Sequence, residues 1–247
     1  MKTQKIFNRQ ILSLAAVTFN MFFSITDATA AAAVPNDNLI QDDGAWMQMV
    51  GEGSLKVIDP NLEKGRIWVE GQARFNNDFN QFYQGLARVA LGYSLSDRLT
   101  IWAGYTWLPT QQFNKASISE QDIWPAFRYV LPTDIGTVSF RTMFESNFLK
   151  GSDVRFRPRT MVRFVHPMEF EPRLSLIAWD EAFVRLNSTQ YGGKAGFDQN
   201  RAFVGGGWTF NPNFRSELGY LNQYIDDATH TNSTMQHLIM GSLFVNF

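Results

Sequence analysis

Hydrophobic and polar residues alternate with a period of two along most of the chain, which predicts β-strands. In segment 66–75, one face carries Ile67, Val69, Gly71, Ala73 and Phe75, and the other carries Arg66, Trp68, Glu70, Gln72 and Arg74. The pattern returns in 99–107, 137–148 and 200–210. Because successive side chains of a strand point to opposite faces, each segment has an apolar and a more polar face.

The connections between these segments alternate in length. Short turns lie at 96–98, 131–136 and 211–213, and longer polar links span Asn76–Gln81, Thr110–Glu120, Asn187–Gly196 and Asp226–Thr234. Transmembrane β-barrels have short periplasmic turns and longer outer loops. Counting back from Phe247, with that residue placed in the periplasm, puts every long link outside. The fold class predicted is therefore all-β, a transmembrane antiparallel β-barrel.

The number of strands is harder to assign. Eleven segments resemble strands, but a barrel with both ends in the periplasm needs an even number. The ambiguous stretch is Gln41–Glu63. A tight turn at Gly51-Glu52-Gly53 would give twelve strands, and leaving one segment out of the wall would give ten. We expect twelve strands, with ten as the alternative.

The N-terminus has the pattern of a secretory signal peptide. Lys2, Lys5 and Arg9 precede an apolar run, Ile11–Ile25, and a small-residue cleavage site at 28–30. A membrane anchor is the alternative, but the run is shorter than the roughly 18 residues that a spanning helix needs. We expect a signal peptide over 1–30, a short segment over 31–40 and the barrel over 41–247, in the bacterial outer membrane.

Composition supports this interpretation. The chain has 22 Phe, 7 Trp and 7 Tyr, yet its mean hydropathy is only -0.21, as expected for strands with one lipid-facing and one polar face. It contains no cysteine, which excludes disulfides and thiolate metal sites. The net charge of -1 gives no reason to expect nucleic acid as a partner. We expect no cofactor and no metal.

The most distinctive polar stretch is a ladder of arginines. Arg155, Arg157, Arg159 and Arg163 share one strand face. An arginine facing lipid at mid-membrane costs roughly 2–4 kcal/mol, so this row is expected to point into the lumen. The predicted charge network of the lumen also contains Arg141, Glu145, Asp180, Glu181, Arg201 and Glu217.

Two interpretations of this network stay open. Arginine–carboxylate pairs can brace a narrow barrel in place of an apolar core. Alternatively, they can line an electropositive pore that attracts small anions. Asp180 raises a separate question, because strict alternation from Leu174, Leu176 and Ala178 sends it toward lipid. We expect either a β-bulge near Asp180 or a position beyond the membrane edge.

Three motifs resemble a known family. They are Trp179-Asp180-Glu181-Ala182-Phe183, then Phe197-Asp198-Gln199-Asn200-Arg201 before a glycine-rich strand, then Glu217-Leu218-Gly219-Tyr220-Leu221-Asn222-Gln223. With the arginine strand, they resemble the DUF2490 family of bacterial outer-membrane barrels. Trp179 replaces the tyrosine that usually precedes the Asp-Glu pair. The resemblance implies an outer-membrane β-barrel and no established activity.

Histidines and outer loops suggest other possible functions. His237, beside Ser233 and Thr234 near the outer end of the last strand, would suit an outer-rim lipid ester hydrolase, with Asp226 or Asp227 as candidate acids. An interfacial histidine is the simpler interpretation. His166 and His230 are scattered and give no metal-ligand spacing. A third hypothesis is a surface-binding barrel that acts through the loops 110–120 and 187–196.

The sequence therefore predicts a porin-like barrel of the Gram-negative envelope that is not an enzyme. It is either a narrow channel for small anionic solutes or a closed structural barrel. Its expected partners are outer-membrane lipids and the barrel-assembly machinery.

The last strand ends on an aromatic residue, Phe247, in the manner of the sorting signal of outer-membrane barrels. Its strand is expected to pair with the first one, because unpaired edges are costly in hydrocarbon. Deletion of Phe247 should lower the amount of folded protein in the outer membrane, measured by fractionation and heat-modifiable gel mobility. Unchanged levels would show that the terminal aromatic is incidental.

Overall fold

A computed structural model describes residues 39–111, 116–190, 193–226 and 233–247. The signal peptide predicted over 1–30, and residues 31–38 of the segment after it, lie outside this part of the chain. Within the described ranges, no helix has the length and apolar character needed to cross a membrane.

The described residues form one closed sheet of eleven strands. Their bounds are β1 Ile40–Ser54, β2 Gly65–Asn76, β3 Gln81–Ser94, β4 Leu99–Thr110, β5 Ile118–Thr133, β6 Gly136–Leu149, β7 Arg155–Met168, β8 Glu171–Arg185, β9 Gly196–Asn211, β10 Phe214–Ile225 and β11 Thr234–Asn246. Two short 3-10 helices, Leu55–Val57 and Pro60–Leu62, connect β1 to β2.

The expectation of twelve or ten strands is wrong. Sequential neighbours pair antiparallel, but β1 and β11 close the barrel in parallel, with Ile40 opposite Thr234 and Glu52 opposite Asn246. A parallel ladder satisfies the backbone groups of both edges, so closure does not require an even number. The start of β1 and Phe247 consequently lie at opposite ends of the barrel.

The three residues that could have formed a tight turn belong to a single strand. Gly51, Glu52 and Gly53 form no turn; they continue β1 and pair with residues 67–69 of β2. The chain leaves the wall only after Ser54, whose hydroxyl accepts a hydrogen bond from the Lys56 N–H at 3.2 Å and begins the first 3-10 turn.

The predicted alternation of connection lengths is confirmed with two exceptions. Four connections at the Phe247 end are short: 95–98, 134–135, 169–170 and 212–213. At the opposite end, the connections are 77–80, 111–117, 150–154, 186–195 and 226–233. One exception is 55–64, which is long, lies at the short-turn end and holds the 3-10 helices. The other is 77–80, which was predicted to be long but has four residues, as many as 95–98.

The two faces of the wall differ as the alternation predicts. Exposed apolar residues cover the outside, with aromatic side chains toward both ends: Trp107, Phe148 and Phe156 toward one, and Tyr93, Phe210, Phe214 and Phe247 toward the other. Inside lie two apolar clusters. One contains Trp68, Trp102, Trp124 and Met143; the other contains Trp46, Ile177, Phe203, Leu221, Leu238 and Met240.

Glycines make room for the large inward aromatic rings. A Cβ atom on Gly104 would lie 2.3 Å from the Trp124 ring, which is fully buried. The Trp124 indole N–H donates to the Thr106 hydroxyl at 2.8 Å. Trp68 meets Trp102 and Trp124 edge to face, with centroids 5.7 and 5.8 Å apart. The rings of β2, β4 and β5 thereby interlock along one side of the interior.

The seam between β1 and β11 ends in a close contact between Phe247 and Gly53. The Ser54 N–H donates to the Phe247 carbonyl at 2.8 Å, and the Phe247 N–H donates to the Glu52 carbonyl at 3.1 Å. A Cβ atom on Gly53 would lie 2.4 Å from the Phe247 carbonyl oxygen. By contrast, a Cβ atom on Gly51 would meet nothing closer than 3.7 Å.

Gly53→Ala should therefore destabilise the seam by about 1–3 kcal/mol, because relief of the overlap displaces a hydrogen-bonded backbone carbonyl. Gly51→Ala is the matched control and should have little effect. Urea unfolding of the folded barrel, followed by tryptophan fluorescence, measures both. Equal midpoints for the two variants would contradict this account of the seam.

Candidate functional site in the barrel interior

The arginine ladder of β7 lies on the inner face and meets carboxylates there. Arg157 is directly opposite Glu145 of β6, and its Nη2 lies 2.8 Å from Glu145 Oε2. Its Nη1 lies 3.1 Å from Oδ2 of Asp198 on β9. Arg159 lies 3.4 Å from Glu145 and 3.5 Å from Glu181. These buried charges are paired, as desolvated ions must be.

Glu181 is shared among three guanidinium groups. Arg141 approaches it to 3.0 Å and Arg159 to 3.5 Å, whereas Arg201 stays 3.8 Å away. Only the first of these distances is that of a good charge-assisted hydrogen bond. The centre of the lumen therefore carries more positive charge than its carboxylates neutralise at close range.

Several ion pairs cross the interior between strands that are not neighbours. Arg163 of β7 lies 2.5 Å from Glu217 of β10, and Arg128 of β5 lies 2.5 Å from Glu52 of β1. Arg155 of β7 lies 2.8 Å from Glu120 of β5. Such pairs brace the wall across the lumen.

Asp180 does not belong to this network, contrary to the sequence-based expectation. It lies on the outward face, where the Asn200 amide donates to its two carboxylate oxygens at 3.0 and 3.1 Å. The expected bulge is also not at Asp180, because that residue pairs regularly with Val162 and Ala202. The amide of Asn200 supplies the hydrogen bonds that an outward carboxylate needs.

The irregularity lies a few residues later and changes which acid faces inward. The register between β8 and β9 shifts at Phe183/Val184, so Asp198 is the extra residue of β9. Asp198 and Gln199 are both buried. Asp198 thereby reaches Arg157 and Arg185, at 3.1 and 3.4 Å. Strict alternation from Arg201 would have turned Asp198 outward, which is why sequence reasoning missed it.

Two cavities occupy the lumen, with volumes of about 440 and 370 Å³. The larger lies toward the Phe247 end, and eight arginines and four glutamates line it. The smaller lies toward the long loops, beside Arg155, Arg157 and Asn147. Five residues line both cavities and form what we call the septum: Trp46, Arg74, Arg88, Arg159 and Arg201.

Arg74 is a septum residue that the sequence did not single out. Its Nε and Nη2 donate to the Gln72 amide oxygen at 3.0 and 2.7 Å, and its Nη1 donates to the Gln84 amide oxygen. Its guanidinium carbon lies 4.1 Å from the Trp46 ring centroid. Arg74 is thus held by neutral groups and an aromatic face, and no carboxylate of the described residues forms an ion pair with it.

His237 lies outside the lumen, as its place in the alternating pattern of the last strand predicts. Its Nδ1 is 2.5 Å from the Tyr220 hydroxyl, and the two rings are stacked with centroids 6.0 Å apart. Ser233 is fully buried, and its carbonyl accepts from the Ile40 N–H at 2.9 Å. The hydroxyl that bonds His237 in the described part of the chain is therefore a tyrosine, not a serine.

The remaining candidates divide between described and undescribed residues. His166 Nδ1 lies 2.5 Å from the Ile135 carbonyl oxygen. Asp227, His230 and parts of the two predicted binding loops, 112–115 and 191–192, lie outside the described residues. In the ranges that the structure covers, no group of three His, Cys, Asp or Glu residues is arranged to hold a metal ion.

The fold and the charged interior define a class, closed β-barrel proteins with an arginine-rich lumen. The model of the family described as "Protein of unknown function (DUF2490)" matches residues 43–234, and the chain belongs to this family. The resemblance seen in the sequence motifs is thereby confirmed.

Two similar proteins complete the comparison. An uncharacterized protein of Methylorubrum extorquens is 29% identical over 226 residues, covering 90% of this chain and 94% of that protein. The solved structure of the NanC porin is similar over 66% of this chain and 76% of that one, with a TM-score of 0.44 and 10% identity.

Replacing Glu145 by Gln should destabilise the barrel by about 3–5 kcal/mol, because the change leaves Arg157 and Arg159 short of a buried counterion. Glu171→Gln is the control, since Glu171 pairs with the exposed Arg173 and surface pairs contribute little. Chemical unfolding of both variants in the same detergent provides the comparison. A Glu145→Gln protein as stable as the control would show that the ladder does not depend on this carboxylate.

Proposed function

We propose that this protein is an outer-membrane β-barrel whose interior admits small anions through a narrow, electropositive lumen. The observation that carries the proposal is the charge of the larger cavity, where eight arginines face four glutamates. Fixed positive charge in a low-dielectric passage raises the local concentration of anions and disfavours cations.

The membrane location is supported by the outer surface. Exposed Met47, Met49, Val69, Val89 and Leu91 form part of a continuous apolar wall. Such a surface on a water-soluble protein would be an aggregation hazard, whereas in a bilayer it is the surface that lipid covers. The aromatic residues toward both ends fit the two interfacial girdles of membrane barrels.

The septum is the proposed selectivity region. Trp46, Arg74, Arg88, Arg159 and Arg201 line both cavities, so any solute that crosses the barrel passes these side chains. Among them, Arg88 is neutralised by Glu70 at 2.8 Å, whereas the hydrogen-bond partners of Arg74 in the described part of the chain are side-chain amides. A mobile anion would therefore meet incompletely compensated guanidinium groups at the septum.

A closed structural barrel is the second candidate, and the cross-lumen pairs favour it. Arg163–Glu217 and Arg128–Glu52 tie opposite parts of the wall together at 2.5 Å. Paired charges of this kind can take the place of an apolar core and leave no continuous path. Measurement of conductance separates this candidate from the anion pathway.

Two further alternatives have less support. A lipid ester hydrolase based on His237 would need an activated nucleophile and an orienting acid, and the observed partner of the ring is the Tyr220 phenol. A surface-binding role would rest on the loops 110–120 and 187–196, which the structure describes only in part. We therefore propose a barrel without enzymatic activity.

The anion pathway predicts a reversal potential of the sign expected for anion preference when purified protein separates two salt concentrations in a planar bilayer. Arg74→Gln should weaken that preference, because it removes a lumen charge that has no carboxylate partner to leave behind. Arg173→Gln, which changes an exposed arginine stacked on Trp208, is the control and should not. Absence of conductance in the unmodified protein, beside an active porin, would favour the closed barrel.

A further inference from the structure

Arg201 is a buried cation with no carboxylate at hydrogen-bonding distance among the described residues. Its residue exposure is 8%, and its Nε is buried without a hydrogen-bond partner in the described part of the chain. Among the described residues, the carboxylate that pairs with it is that of Glu181, whose Oε2 lies 3.8 Å from Nη1, beyond hydrogen-bonding distance. A guanidinium offers five N–H donors, so this side chain has a large unused donor capacity.

Other lumen arginines differ in this respect. Arg141 has Glu181 at 3.0 Å, Arg185 has Asp226 at 2.9 Å, and Arg215 has Glu217 at 3.1 Å. Each of these three guanidinium groups is neutralised by a carboxylate at hydrogen-bonding distance. Arg201 therefore differs from these arginines because its nearest described carboxylate is too distant to neutralise it through a hydrogen bond.

Aromatic rings hold the Arg201 guanidinium in place. Its central carbon lies 4.6 Å from the Phe183 ring centroid and 4.9 Å from that of Trp46. Stacking of this kind fixes a guanidinium without using its N–H donors. The donors thus remain available to a ligand in the cavities that Arg201 lines.

A second incompletely neutralised arginine stands beside the same indole. The guanidinium carbon of Arg74 lies 4.1 Å from the Trp46 centroid. Two like charges over one aromatic ring repel each other, so an anion between or beside them would relieve a cost that the protein alone leaves in place. Arg201 and Arg74 also line both cavities, so a ligand can reach them from either side.

We propose that Arg201 and Arg74, positioned by Trp46 and Phe183, form a binding site for one small oxyanion, a carboxylate or phosphate group. The forked donors of arginine match two oxygens of such a group, which a spherical halide cannot provide. The inference deepens the proposed anion pathway and rests on it only for entry of the ion.

The test uses the folded barrel, purified in a phosphate-free detergent, with inorganic phosphate as the probe. Saturable broadening of the phosphate resonance in phosphorus NMR is expected at constant ionic strength. Arg201→Gln should weaken binding about tenfold or more, the amount expected for a lost charge-assisted hydrogen bond. Arg201→Lys should also weaken it severalfold, because a point charge lacks the fork.

Arg163→Gln is the matched control. It also removes one lumen charge, but Arg163 already pairs with Glu217, so phosphate binding should stay near that of the unmodified protein. Competition by acetate would extend the site to carboxylates, and its absence would restrict the site to phosphate groups. Heat-modifiable mobility checks folding, and Arg201→Lys decides the matter if Arg201→Gln does not fold.

Non-saturable broadening in the unmodified protein, or equal binding by the Arg201 variants, would overturn the site. These outcomes are separate from those of the bilayer experiment. A protein that binds phosphate but conducts no ions keeps the oxyanion site and refutes the anion pathway. An anion-selective protein without saturable phosphate binding keeps the pathway and refutes the site.

Discussion

The interior of this barrel depends on a small number of buried carboxylates, above all Glu145 and Glu181. Together they face Arg141, Arg157 and Arg159 within 3.5 Å. An ion in a low-dielectric interior is tolerated only when it is paired and hydrogen-bonded. The wall can carry an arginine ladder because β6 and β8, the two strands beside it, each present a glutamate at its level. The need to pair each buried charge therefore explains why the arginines and glutamates of the interior lie beside each other.

Aromatic residues also stabilise the buried arginines. Trp46 and Phe183 receive guanidinium groups on their faces, and Trp68, Trp102 and Trp124 pack inside the barrel beside Arg88 and Arg141. A ring offers both packing surface and a weakly negative face, so it stabilises an arginine without neutralising it. Positive charge therefore persists where rings replace carboxylates. The septum combines both kinds of partner, and this combination supports the proposal of an anion-attracting interior.

Closure of the sheet imposes a separate constraint. Every strand edge must be paired, and here the final pairing is the parallel ladder between β1 and β11. Gly53 lets the backbone and ring of Phe247 lie against β1 at the end of that ladder. The first connection, 55–64, begins where Ser54 leaves this seam.

The period-two alternation by itself determined the all-β class and the shared face of the β7 arginines, because both follow from local side-chain geometry. The cost of arginine in lipid predicted that this face points inward, and the polar segments between strands predicted most of the short and long connections. Tertiary structure alone decided three features. The odd strand count depends on how two distant edges pair. The inward position of Asp198 depends on a register shift between β8 and β9. The incomplete compensation of Arg201 and Arg74 depends on distances across the lumen, since a sequence shows which residues are charged but not which charges meet.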